Sequence, residues 1–297
     1  DVQTVDLDFR NNTTNMKKNL MFDWPGLWYN PRNEYVIRWM PNFYYHQKSS
    51  GFAPGLTLDF DYGPYESTTT RANYAYETQD LYWYLGGWRQ PVHFFPRTTF
   101  HYWAYNRPGV KELGGEVEKQ WNRVYGRTPT HTISAGFYVQ PEYDSTRAVN
   151  LGYDPNGKLG VGYLDWSSEI GSVDMNVNGA SSLGNLSDWN FTRLTVTGSL
   201  SASKKMFRFK QRIIVGKIWT DAKGVPGQEG YNIEGNSSND MVRKNYLVDQ
   251  FYGFELQEGE SLISHYHMPG EGNLRGFVGK GERGAEALAA FSSEASI

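Results

Sequence analysis

Apolar and polar residues alternate with a period of two along most of this chain, which predicts strands with two unlike faces. Val5, Leu7 and Phe9 interleave with Asp6, Asp8 and Arg10. Leu56, Leu58, Phe60 and Tyr62 interleave with Thr57, Asp59 and Asp61. Phe100, Tyr102 and Ala104 interleave with His101, Trp103 and Tyr105. Ile133, Ala135, Phe137 and Val139 do the same with Thr132, Ser134, Gly136 and Tyr138. Further strands are predicted at 34–46, where Pro41 marks a bulge or an edge, and around Tyr74 and Tyr76. Others are predicted at 159–166, 191–201, 207–219, 245–257 and 288–296. The spacing gives about ten to twelve strands.

Turn residues separate these runs. Asp154-Pro155-Asn156-Gly157, Ser49-Ser50-Gly51 and Gly63-Pro64 read as hairpin connections. Two polar stretches, 171–190 and 221–244, read as long surface loops. Residues 110–125 are open between a short helix and an irregular loop, with Val117, Trp121 and Val124 on one helical face. No repeat, linker or low-complexity tract divides the chain, so 1–297 is expected to form a single domain.

An all-β chain of this kind is either a sandwich or a barrel. Two features favour a transmembrane antiparallel barrel. The strands at 34–47 and 207–219 are long, and a tilted membrane strand needs about 9–11 residues. The runs Thr57/Asp59/Asp61 and Arg208/Lys210/Arg212 put charges in mid-strand, which suits a wet lumen. The alternative for these residues is the solvated face of an ordinary sheet.

Composition moves the balance further. The chain holds 47 aromatic rings, 21 Tyr, 16 Phe and 10 Trp, in 297 residues. That is more than a soluble core readily uses, and barrels place such rings in girdles at both membrane interfaces. Mean hydropathy is -0.63. No apolar run approaches the ~20 residues of a spanning helix. Strands that are apolar at alternate positions tolerate that low mean. No leader is visible before Asp1-Val2-Gln3, and the chain reads as mature, trimmed or partial. A net charge of -3 gives no ground for a nucleic-acid partner. The absence of cysteine removes disulfide and thiolate chemistry.

Motifs for catalysis are weak. Gly279-Lys280-Gly281-Glu282-Arg283-Gly284 matches a dinucleotide loop in letters, but that loop needs a βαβ setting. His265 and His267 share a strand face without an evident third metal ligand. The pairs Asp59/Asp61 and Glu116/Glu118 have the composition of a hydrolase pair, and equally that of wet strand faces. No enzyme activity and no cofactor are expected.

The most informative segment runs from Met268 to Ala285. Leu274-Arg275-Gly276-Phe277 follows the glycine-rich approach Pro269-Gly270-Glu271-Gly272-Asn273, and a strand comes after it. This resembles the signature loop of the Omp85 superfamily, outer-membrane barrels that insert or translocate proteins. The resemblance implies a bacterial outer-membrane location and a loop folded back into the barrel. There Arg275 would meet acidic or polar groups on the wall. The residues agree with that role. Gly270, Gly272 and Gly276 permit sharp turns. Arg275 offers a planar fork of donors for a carboxylate, and Phe277 fills an apolar niche. The stretch 29–61 is also similar to the early barrel of Omp85-like domains fused to peptidase-like regions; the catalytic part of such a fusion is absent here.

One departure stands out. The family continues with several strands after this loop, whereas here one strand follows before Ile297. The remainder of the barrel is expected from another chain or a further segment. Three functions are thus expected: protein insertion, secretion or assembly; a non-transporting barrel subunit that scaffolds an envelope complex; or a soluble aromatic-rich protein that binds carbohydrate. The expected partners are outer-membrane lipid and other protein subunits or clients.

Overall fold

In a computed structural model, the structure describes residues 18–22, 35–46, 51–62, 66–91, 95, 97–107, 110–122, 130–141, 157–204, 207–231 and 285–296. They are all-β. The strands are β1 (Lys18–Phe22), β2 (Tyr35–His46), β3 (Gly51–Tyr62), β4 (Glu66–Ala75), β5 (Asp80–Arg89), β6 (Thr98–Arg107) and β7 (Val110–Asn122). There follow β8 (Thr130–Gln140), β9 (Leu159–Ile170), β10 (Val173–Ser182), β11 (Phe191–Lys204), β12 (Phe207–Thr220) and β13 (Ala287–Ser296). Among the described residues a 3-10 turn, Gly184–Leu186, interrupts them.

The sheet order is the sequence order, β1 to β13. Pairings from β2 to β6 and from β8 to β13 are antiparallel. β1 runs parallel to β2, a departure from the all-antiparallel expectation. Among the described residues, β1 and β13 each have one sheet neighbour, so the order is that of an open sheet and not of a closed ring. The chain groups into two compact units, Asp1–Pro108 with Leu113–Lys119, and Gly109–Glu112 with Gln120–Ile297.

In both units the polarity of the faces is inverted relative to a soluble sheet. On β3, Leu56 is 43% and Phe60 40% exposed, while Thr57 and Asp61 are 3% and 4% exposed. Register carries the pattern outwards. Asp59 lies opposite Arg38 and Thr69, and Gly55 opposite Asn42 and Asn73. In the second unit Leu194, Val196 and Leu200 of β11 are exposed, and so are Ile213, Val215 and Trp219 of β12. Thr195 lies opposite Asn178 and Gly216 on the other face. A soluble sheet buries its apolar side because that removes apolar area from water. Here the apolar side is bare.

Three sequence expectations need correction. The thirteen strands exceed the ten to twelve expected. Residues 110–125, read as helix or loop, form β7 over Val110–Asn122. Residues four apart share a face in a helix and also in a strand, so the spacing of Val117 and Trp121 suits both. In β7 they are exposed with Leu113, while Glu112 is buried. The stretch 171–190, read as a loop, contains β10. Its covered face is built from Asn176, Asn178 and Ala180, so its composition resembles a loop although Val173, Met175 and Val177 alternate normally. What remains of the expected loop is a two-residue turn at Gly171-Ser172, where Gly171 has φ +65°, and the connection over 183–190. The strand β5 was also unforeseen. Its aromatics occupy both faces, with Tyr82 and Tyr84 on the covered side and Leu81, Trp83 and Leu85 on the bare one, which blurs the alternation. The strands expected at 5–10 and 245–257 lie outside the described residues.

Candidate functional site

The covered polar face of each unit is its candidate site. In the first unit the face is a ladder of short polar side chains with one ion pair. Alternation puts Arg38 of β2 and Asp61 of β3 on the same face, and the side chains meet as an ion pair in which Asp61 is buried and Arg38 half-buried. Beside it Thr69 donates to Asp59 Oδ1 at 2.6 Å, and Asn42 donates to Thr57 Oγ1 at 2.7 Å. Asn73 of β4 donates to Asn42 and, at 3.0 Å, to the carbonyl of Ala53. Most of the ladder's donors and acceptors find partners within it, as a covered polar face favours, while Arg38 Nε is buried without one.

In the second unit the face receives an inward segment. The chain leaves β12 at Thr220, whose hydroxyl donates to the Gly224 carbonyl at 2.7 Å. Pro226 then starts a turn in which its carbonyl accepts from Glu229 N at 2.9 Å and Gly230 N at 3.2 Å. That turn drives Glu229, 0% exposed, onto the sheet. Its carboxylate accepts from the Tyr138 hydroxyl of β8 and lies 3.2 Å from Arg193 Nη1 of β11. Arg193 also donates to the Glu229 carbonyl at 3.3 Å and to Asn178 Oδ1 at 3.4 Å. Asn178 and Asn176 of β10 donate to the two oxygens of Asp165 on β9, at 3.2 and 2.8 Å. One polar chain thus crosses four strands.

Tyr231 closes the segment. Its hydroxyl donates to the Leu194 carbonyl at 2.9 Å and pairs with Thr195 Oγ1 at 2.8 Å, while its backbone bridges Ala285. The ring lies on Gly216 of β12, where an added Cβ would fall 2.3 Å from Tyr231 Cζ. Only a residue without a side chain admits this approach. Gly216→Val is expected to expel the ring and destabilise the unit by ~1–3 kcal/mol. The midpoint of urea unfolding, compared with the wild type, checks it.

No family model matches this chain, and no curated protein is similar to it.

The sequence-expected residues divide into three sets. Asp59 and Asp61 lie on the covered face and are engaged there. Arg208, Lys210 and Arg212 share the covered-face parity of β12 with the buried Ile214 and Ile218, but Arg208 and Lys210 are exposed towards the strand's start. Leu274, Arg275, Gly276 and Phe277, with Gly270 and Gly272, lie outside the described residues, as do His265 and His267. Sequence reasoning missed Tyr138, Asp165, Arg193 and Glu229. Arg193 carried a signal, a lone cation in the run Thr192–Val196. Glu229 carried none, since it looks like any residue of a Gly/Pro turn.

Proposed function

We propose that this chain forms most of an outer-membrane β-barrel of the Omp85 kind, working in protein insertion, secretion or assembly. The observation that supports membrane placement is the inverted polarity of the sheet. Large apolar side chains stand bare at alternate positions of nearly every strand, over covered faces of Asp, Asn, Thr, Arg and Glu. Lipid is the solvent that makes such a surface favourable. No helix among the described residues is long and apolar enough to cross a membrane, which leaves strand crossing open.

The strand β12 fits the dimensions. On its bare face Phe207 and Trp219 bracket Ile213 and Val215. At ~3.3 Å per residue the two rings are ~40 Å apart along the strand. A tilt of ~40° brings that to ~30 Å along the membrane normal, the thickness of the hydrocarbon core. Aromatic ends around Ile213 and Val215 match interfacial girdles, and the polar residues of this face, Gln211 and Lys217, lie to either side of that aliphatic pair.

The Omp85 assignment rests on sequence resemblance, chiefly Leu274-Arg275-Gly276-Phe277 with its glycine-rich approach. A second reading, a barrel subunit that scaffolds a larger complex without transport, is favoured by the single neighbours of β1 and β13. An edge strand left unpaired in lipid is costly, so a further strand, from this chain or another, would cover each.

The experiment is extraction followed by reconstitution. The protein is expected to need detergent for solubility and to insert into vesicles. Arg275→Ala is expected to preserve insertion and to lower client assembly in proteoliposomes. Folded, monodisperse protein in water without detergent would sink both barrel readings and favour the carbohydrate-binding one. Insertion with full client assembly by Arg275→Ala would remove the signature loop from the mechanism.

A further inference from the structure

We propose that the covered face of the first unit carries a divalent-cation site of the zinc class, made by His101 of β6 with Glu116 and Glu118 of β7. One ligand atom from each residue lies within 4.8 Å of the others, and all three side chains are half-buried. The donor set is one imidazole nitrogen and two carboxylate oxygens. Imidazole suits zinc and the later transition metals, whereas calcium and magnesium prefer oxygen donors alone. Three protein ligands leave a coordination position for water or a client group, the arrangement of an open zinc site.

The scaffold supports the convergence. Glu116 and Glu118 are two residues apart on one strand and therefore face the same way. His101 approaches from the neighbouring strand. The close packing of Trp103 on Gly114, where a Cβ would lie 2.4 Å from the indole, fixes β6 against β7 immediately beside the cluster. Trp88 of β5 stands directly across from His101. Half-burial of all three ligands thins the water around them, which strengthens attraction between two carboxylates and a cation. A bound ion would also offset the repulsion between the two glutamates and tie β6 to β7 through their side chains. The site does not depend on whether lipid or water covers the bare face.

The test uses the full chain, folded in detergent or in water, stripped with EDTA and titrated with zinc chloride by calorimetry. One equivalent is expected to bind and to raise the thermal midpoint in proportion to the logarithm of free zinc. His101→Ala and, separately, Glu118→Gln are each expected to weaken that equivalent by ~100-fold or more. Outer-sphere partners alone are worth ~10–100-fold, and these are ligands. Glu169→Gln, an exposed carboxylate on β9, and the double variant His265→Ala/His267→Ala are expected to keep it. Because the metal-free midpoint of each variant is measured too, loss of folding separates from loss of zinc. The proposal is overturned by no stoichiometric binding to folded wild type. It is equally overturned by a bound equivalent that survives both His101→Ala and Glu118→Gln, or that disappears with His265→Ala/His267→Ala.

Discussion

Arg193→Met is expected to destabilise the second unit by ~3–5 kcal/mol, the cost of leaving a buried carboxylate without its counter-charge. Glu229 is fully covered, and its carboxylate has Arg193 on one side and the Tyr138 hydroxyl on the other. Removing the guanidinium takes the positive charge at 3.2 Å away from a carboxylate that water cannot reach. Arg193 also links Glu229 to Asn178 and, through it, to Asp165, so its loss leaves several polar groups short of partners. The double variant Arg193→Met/Glu229→Leu is expected to recover most of the loss, because an apolar pair of similar volume needs no solvation. The measurement is the midpoint of urea unfolding, followed by tyrosine and tryptophan fluorescence. A protease probe of residues 221–231 adds a local readout, since Glu229 holds that segment onto the sheet. If the single variant unfolded within ~0.5 kcal/mol of wild type, as an ordinary surface substitution does, the pair would not be anchoring the segment. If the double variant were no better than the single, the loss would come from packing and not from the buried charge.

The parts of the fold that the sequence made legible are those where the two faces differ in kind. In β3 the choice between Leu56, Phe60 and Thr57, Asp61 is unambiguous, and burial follows it. In β10 the covered face is made of Asn176, Asn178 and Ala180, residues that a turn also uses, so the strand disappears into the polar composition of its surroundings. In β7 the spacing of four carries no information about helix against strand. Alternation also names a face without naming a partner. It placed Asp61 on the polar side of β3, but only the β2–β3 register brings Arg38 to it. Contacts of the inward segment are further from reach. Glu229 meets Tyr138 across 91 residues and Arg193 across 36. Such pairings are set by strand order and by the turn at Pro226, neither of which leaves a local pattern. The acids of the proposed cation site were visible in the sequence, and its third ligand was not. Glu116 and Glu118 share a strand, whereas His101 joins them only when β6 and β7 are neighbours.

The solvent of the bare face decides between the readings of function, and Val215→Arg tests it directly. Val215 lies near the middle of β12, is 52% exposed, and stands opposite Val196 and Ala289, between the ends marked by Phe207 and Trp219. If that face meets hydrocarbon, an arginine there is near mid-depth and is expected to cost ~2–4 kcal/mol, falling to ~0–1 for the same change near an interface. Trp219→Arg at the strand's end supplies that comparison, apart from the packing lost with its ring. If the face meets water, Val215→Arg adds a charge to an already exposed site, and the expected change is within ~0.5 kcal/mol. The readout is the folding equilibrium in phospholipid vesicles against denaturant, with the fraction inserted as a second measure. The same substitution is thus severe in one solvent and almost silent in the other, although no contact within the protein differs between the two cases. A large loss at Val215 with a smaller one at Trp219 would support a lipid-covered band centred on β12. Equal and negligible losses at both would return the bare aromatic face to water, where it would have to be explained as a surface for binding.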